Sequence, residues 1–294
     1  MNFTLPDGGH GAPLPADLRD ALAASRAERG AFGDPLRFYA SIGSTNDVAA
    51  RMAEAGAGEG ATVVAEEQTA GRGRSGRPWY SPPGAGLYVS VVIRPDVARP
   101  VPGGNFLHVG TVPSVQNLPS GMAVLTLAAG VALAEAVREA TGLQADIKWP
   151  NDLLCGRRKL AGILAEASAR GTALDAVVLG FGVNVRPVAY PPDLADRATS
   201  IEAELGRPVD RGLVLARTLV RLAAVRETLR RGDTASVLAA WRRLAPSSTG
   251  RPVAWRGPGG ERRGTTAGLD ADGALLVDTG GGRERIIAGE LSWL

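Results

Sequence analysis

Only two lysines occur in the 294 residues, Lys148 and Lys159, and both lie in KWPNDLLCGRRKLAGILAE, residues 148–166. Every other basic residue of the 33 is arginine. Ammonium groups confined to one stretch raise the question of what a guanidinium cannot supply there. Upstream, GRGRSGR (71–77) sets Arg72, Arg74 and Arg77 among glycines. Guanidinium forks match carboxylate and phosphate oxygens, and glycine lets the backbone approach a ligand closely. With no apolar anchor inside it, this loop is expected to be mobile until an anion orders it. Taken alone it equally fits a solvated linker, or an Arg/Gly segment that binds single-stranded nucleic acid. It is not a P-loop, because no Gly-Lys-Ser/Thr follows.

Three further stretches carry chemistry. In KWPND (148–152) Pro150 sets Trp149 extended, and Asn151 and Asp152 at a strand end suit a metal-bridged phosphate. Taken alone, that stretch is better explained as an ordinary Pro-Asn-Asp turn. KLAGILAE (159–166) reads as a buried strand with Lys159, Ala161 and Ile163 on one face. An ammonium there needs an anionic partner. Gly162 offers bare backbone. In GFGVNV (180–185) Gly180, Gly182 and Asn184 alternate onto one face, leaving a hollow with an amide at its end. Tight strand packing is the alternative. Together these pieces provide many cations, a magnesium carboxylate in Asp152, a hollow on a sheet and no evident general base. That suits a nucleophile already anionic at neutral pH, such as a carboxylate (pKa about 4.3) attacking a nucleoside triphosphate. The obstacle is repulsion between anions, which fixed cations remove.

Composition narrows the field. A hydrophobic content of 45% and a charged content of 21% describe an ordinary globular chain, long enough for about two domains. The net charge of +3 singles out no partner. Cys155 is the only cysteine, which excludes an internal disulfide and fits a reducing cytoplasm. With His10 and His108 as the only histidines, both expected in solvent, a zinc site and Ser-His-Asp or Cys-His chemistry are disfavoured. The N-terminus has neither the basic nor the apolar region of a signal peptide. The longest uncharged apolar run, Met122 to Ala134, is shorter than the ~20 residues of a membrane span and reads as a buried helix.

The elements that must position these residues follow from the pattern. Residues 1–34 form a Gly/Pro/Ala-rich lead with one short helix near Asp17 to Glu28, and deletion of 1–32 is expected to leave activity largely intact. Strands are predicted at 36–41, 61–67, 87–93, 145–149, 158–167 and 174–185. Ser44 is predicted to cap a helix from Thr45 to Ala55 with Asp47 in its first turn. Residues 94–119 read as a long exposed loop, and Ser120 opens the apolar helix. Helices fill 211–245. After APSSTG the pattern turns to short strands and glycine turns, a small β-barrel.

STN (44–46), QTAGRGRSGRPW (68–79), KWPNDLL (148–154), KLAGILAE (159–166) and GFGVN (180–184) occur in the order found in biotin–protein ligases. RPVAWRG, GALLVDTG and GEL resemble that family's C-terminal SH3-like domain. The resemblance covers about residues 36 to 294. It implies an α+β fold: a mixed β-sheet catalytic domain with flanking helices over 35–246, then a small SH3-like β-barrel over 247–294. The family makes biotinyl-5′-adenylate from biotin and Mg·ATP, with no tightly bound prosthetic group. It then passes biotin to a lysine of a biotin carboxyl carrier domain, such as that of acetyl-CoA carboxylase. Carried over, Ser44, Thr45 and Gln68 would bind the biotin ureido end, with Asn46 beside them in the biotin site. Arg72, Arg74 and the backbone around Gly71 would close over biotin and the adenylate phosphate. Lys159 would hold the carboxylate and α-phosphate oxygens, and with Arg72 and Arg74 would be catalytic. Gly162, Gly180 and Gly182 would line the slot. Arg74, Arg77, Trp79, Lys148, Asn151, Asp152 and Asn184 would serve ATP, with Asp152 on magnesium.

The resemblance also answers the lysine question. Lys159 would sit between a carboxylate and a phosphate that become one mixed anhydride. A compact charge on a flexible stem follows an oxygen through that change, whereas a planar fork is bulkier and fixed in direction. Two departures stand out: Ser75 replaces a longer or basic residue of many members, and 94–119 is longer than usual. The lead is shorter than the winged helix-turn-helix of ligases that double as repressors, so no sequence-specific DNA binding is expected. No membrane partner is expected either, whereas edge-to-edge homodimers occur in the family. Lipoate ligases and octanoyltransferases share the fold and a lysine but lack the Arg/Gly loop with KWPND. A nucleic-acid-binding module is the non-enzyme alternative.

Overall fold

The computed structural model describes residues 11–94, 120–170, 173–257, 260–287, 289 and 291–294. The long loop expected beyond Arg94 and both histidines lie outside them. Strands β1 (Leu36–Tyr39), β2 (Thr62–Ala65), β3 (Gly86–Ile93), β4 (Asp146–Lys148), β5 (Asp152–Cys155), β6 (Arg158–Arg170) and β7 (Ala173–Asn184) form one sheet. Its order is β1-β2-β3-β7-β6-β5-β4. β1 and β2 run parallel, and the other neighbours are antiparallel. Every residue of β3 is buried, which accounts for its apolar run broken only by Ser90. β5 is an element the sequence reading had folded into the turn after Lys148.

Helices cover both faces. On one face lies α3 (Thr45–Glu54), whose Val48, Ala49, Met52 and Ala53 pack on Val63, Val92, Ala176 and Val178. The opposite face carries the main core, to which α4 (Ser120–Thr141), α6 (Arg211–Arg230) and α7 (Thr234–Leu244) contribute Leu127, Leu133, Leu215, Leu219 and Trp241. A short helix missed in the sequence, α5 (Ile201–Leu205), precedes α6. The run from Met122 is thus a core helix. Among the described residues no helix is long and apolar enough to cross a membrane.

The N-terminal region is more than a lead. In α1 (Ala16–Ala24) Leu18 and Leu22, four residues apart, are buried in the main core, and Phe32 joins them beyond α2 (Arg26–Arg29). Deleting residues 1–32 would uncover part of that core, so the segment has a packing role that its composition did not suggest. Asp17 of α1 accepts from Arg211 Nε at 2.7 Å, and the same guanidinium forks onto Glu66 at 2.7 and 2.9 Å. Burial works to raise the Asp17 carboxyl, but the Arg211 hydrogen bond and charge outweigh it and hold it below 3.8. A depressed carboxyl stabilises the fold above its unfolded value, and that contribution is lost as pH falls through the folded value. Asp17 is part-exposed, so screening limits the pair to about 1 kcal/mol. Asp17→Asn is therefore expected to lower the melting temperature near neutral pH by about 2–4 °C. The gap should close in a pH series descending below 3.8. A gap independent of pH would show that charge contributes nothing.

The C-terminal residues form a second sheet from β8 (Thr249–Gly257), β9 (Gly260–Leu269), β10 (Leu275–Thr279), β11 (Gly282–Ile286) and β12 (Leu291–Trp293), in the order β11-β10-β9-β8-β12. All its pairings are antiparallel, as expected of an SH3-like unit. It docks on the KWPND turn. The Trp149 indole donates to the Gly273 carbonyl at 3.2 Å. Lys148 Nζ and the Arg251 guanidinium lie 5.2 and 5.1 Å from the Trp293 ring centroid.

Candidate active site

The site lies on the α3 face of the large sheet, and a bulge creates its floor. Leu153 of β5 pairs with Ala161, but Leu154 pairs with Lys159, so Leu160 is skipped. The expected alternation of Lys159 with Ala161 and Ile163 therefore fails. Ala161 and Ile163 enter the main core, while Lys159 shares the face of Gly162, whose ideal Cβ would lie 3.3 Å from its Nζ. Lys159 is half-buried rather than buried, and its anionic partner is Asp152, with Oδ1 2.7 Å from Nζ.

The glycine hollow exists, and protein side chains lie in it. A Cβ on Gly180 would stand 2.2 Å from Asn46 Oδ1, and one on Gly182 would stand 2.4 Å from Trp79 Nε1. Gly162 backs the same indole, its Cβ position 3.0 Å from Cζ3. Lys159 Nζ lies 5.2 Å from the Trp79 ring centroid. The Trp79 indole N–H is buried without a partner in the protein, a donor directed at the floor. Asn184, at the end of the glycine row, donates to the Thr199 and Lys159 carbonyls at 2.9 and 3.4 Å. It thus ties β7 to the strand carrying Lys159.

A polar network closes the other end. Ser44 occupies the N-cap of α3, yet its side chain makes no capping bond. Gln68 supplies it instead: Oε1 accepts from the Thr45 backbone N–H at 2.9 Å and its hydroxyl at 3.1 Å, while Nε2 donates to Ser81 Oγ at 3.1 Å. Ser90 Oγ reaches Thr45 Oγ1 at 2.7 Å and Asn46 Oδ1 at 2.5 Å. Asn46 Nδ2 donates to Glu166 Oε2 at 2.6 Å. Gly71 is required by contact, because its Cβ would meet Ser81 Oγ and the Trp79 carbonyl at 2.7 Å.

The Arg/Gly loop also makes contacts within the protein, beside any that a ligand would add. Trp79 N–H donates to Gly71 O at 2.9 Å, and Gly73 N–H to Arg77 O at 2.7 Å, closing a small hairpin. Arg72 forks onto Asp47 at 2.5 and 3.1 Å, with Glu166 3.7 Å away. Arg74 Nη1 donates to Asn151 Oδ1 at 3.3 Å, bringing the loop to the KWPND turn. Asn151 Nδ2 in turn donates to the Ile163 carbonyl at 2.7 Å. Ser75 sits at the hairpin tip with φ 57°, a left-handed conformation that costs a non-glycine residue about 1–2 kcal/mol. Arg77 lies exposed beside it.

The structure therefore gathers Ser44, Thr45, Asn46, Gln68, Gly71, Arg72, Arg74, Trp79, Asn151, Asp152, Lys159, Gly162, Gly180, Gly182 and Asn184 around one floor. Lys148 is instead turned towards Trp293 of the second sheet. Asp47, Glu166, Ser81 and Ser90 escaped the sequence reading as site residues. Ser90 carried a signal, a lone hydroxyl in an apolar strand. Among the described residues no cluster of three His, Cys, Asp or Glu could hold a metal. Burial pushes the Cys155 thiol up to about 11, which removes it as a nucleophile at neutral pH.

Comparison with known proteins shows the family. The sequence model of the biotin/lipoate A/B protein ligase family matches residues 38–184, and that of the biotin protein ligase C-terminal domain matches 249–293. The biotin–[acetyl-CoA-carboxylase] ligase of Mycobacterium tuberculosis is 36% identical over 278 residues, covering 93% of each chain. The bifunctional ligase/repressor BirA of Bacillus subtilis is 34% identical over 262 residues, 88% of this chain and 74% of that one. The biotin protein ligase of Aquifex aeolicus, solved in complex with biotin and ATP, superposes with a TM-score of 0.71 at 28% identity. That match covers 88% of this chain and 98% of the other. On these matches the chain belongs to the biotin protein ligase family.

Proposed function

We propose that the chain activates biotin with Mg·ATP as biotinyl-5′-adenylate and transfers the biotinyl group to a lysine of a biotin carboxyl carrier domain of a carboxylase. The observation that carries this reading is the meeting of Lys159, Gly162, Gly182 and Trp79 at one point of the sheet. Bare glycine backbone and an indole there lie beside a cation, which suits an apolar acid once the indole gives way. The network of Thr45, Gln68 and Ser90, with Ser44 next to it at the start of α3, suits the ureido group, which both donates and accepts hydrogen bonds. Asn46 and Gly180 line the same end.

In the first step a biotin carboxylate oxygen attacks the α-phosphorus, the bond to the β-phosphate oxygen breaks, and pyrophosphate leaves. Lys159 faces both anions, releasing Asp152 as it takes up the new oxygens; Asp152 is then free for the magnesium carried by ATP. Magnesium neutralises phosphate charge when bound. Arg72 and Arg74 close over the slot. Arg77, Trp79, Lys148, Asn151 and Asn184 serve the nucleotide, with Lys148 acting from the joint between the two sheets. In the second step the neutral amine of the carrier lysine attacks the acyl carbon, AMP leaves, and the amine's proton is lost to solvent. A cytoplasmic location suits an enzyme that consumes ATP and modifies a carboxylase. The test is to incubate the chain with biotin, Mg·ATP and a carrier domain. Biotin is expected on the carrier lysine, and its absence there would overturn the reading.

Retention of the adenylate gives a second expectation. Arg74 joins the loop to Asn151, so removing it loosens the lid. A charge-assisted hydrogen bond contributes about 1.5 kcal/mol or more, about tenfold in retention. Arg74→Gly should still make adenylate but release it, labelling serum albumin with biotin when no carrier is present. Labelling no stronger than that of the unaltered chain would show that Arg74 retains nothing.

A further inference from the structure

Resting on that reading, we propose that Asp47 is a positioning residue for biotin: its carboxylate anchors Arg72, and through Arg72 the Arg/Gly loop, over the ureido end of the slot. The protein itself supplies a carboxylate against this loop. Asp47 sits in the first turn of α3, and that helix is fixed by Val48, Ala49 and Met52, each at most 1% exposed. Arg72 Nη2 donates to Asp47 Oδ1 at 2.5 Å and Nη1 to Oδ2 at 3.1 Å, the bidentate geometry that fixes direction as well as distance. This hydrogen bond also holds the Arg72 guanidinium above its ordinary value, although burial acts against it.

Glu166 completes the seat. Its Oε2 lies 3.7 Å from Arg72 Nη2 and accepts from Asn46 Nδ2 at 2.6 Å. Asn46 is in turn held by Ser90 and packs against Gly180. The fork therefore ends on the same network that lines the ureido end. Asp47 uses two of the five guanidinium N–H groups, leaving donors for the slot. A purely structural role is the rival account, since a carboxylate in the first turn also favours the α3 dipole.

A double-mutant cycle separates the two, with biotin binding read by calorimetry for the unaltered chain, Asp47→Asn, Arg72→Ala and the double variant. Asp47→Asn is expected to weaken biotin at least about tenfold. In the Arg72→Ala background the same change should cost less than about twofold. An equal loss in both backgrounds would assign Asp47 to the helix or the fold and overturn the proposal. So would an Asp47→Asn variant that binds biotin normally. If the unaltered chain fails to bind biotin, the biotin reading itself is wrong and the proposal falls with it.

Discussion

Lys159→Arg is expected to keep the positive charge and lose about 100-fold or more of biotin-dependent ATP–pyrophosphate exchange, the scale of losing one preorganised electrostatic contact. The surroundings leave little room for a fork. Lys159 Nζ is held 2.7 Å from Asp152, lies 5.2 Å from the Trp79 ring centroid and borders the Gly162 backbone. A guanidinium is wider, and its bidentate preference would hold it on the Asp152 carboxylate. The lysine must instead exchange that carboxylate for oxygens of biotin and the α-phosphate. Near-normal exchange in the variant would refute this explanation of why lysine persists here in an arginine-rich chain.

Gly182→Ala should weaken biotin binding by about 5- to 150-fold, the equivalent of the ~1–3 kcal/mol typical of overpacking. The added methyl would stand 2.4 and 2.5 Å from Nε1 and Cε2 of Trp79. It cannot be relieved by the backbone, because Gly182 pairs with Tyr88 on one side and Gly162 on the other. The indole must move instead, and it forms the wall facing Lys159. Calorimetric titration with biotin reads the loss, and a melting curve shows whether the fold is retained. An unchanged affinity would remove Gly182 from the slot.

Much of this site was legible because its glycines and cations sit in short, ordered stretches. What stayed hidden was set by contacts between distant segments. The bulge at Leu160 leaves no mark in KLAGIL, yet it moves Lys159 from the face of Ile163 to that of Gly162. The loop looked unanchored because its carboxylate, Asp47, lies 25 residues upstream and reads locally as an ordinary first-turn acid. Gln68 as the cap of α3 was hidden for the same reason. The contact of Lys148 with Trp293, nearly at the other end of the chain, leaves no mark in KWPND. In the N-terminal region glycine and proline masked Leu18 and Leu22, whose spacing of four is that of one helix face.

The most direct test of the central claim is mass spectrometry of the small molecules formed when the chain meets Mg·ATP with biotin, and in parallel with lipoate. The account predicts biotinyl-5′-adenylate and pyrophosphate in the first mixture and no lipoyl adenylate in the second. Adenylate formed from lipoate alone, or no acyl adenylate from either acid, would contradict it.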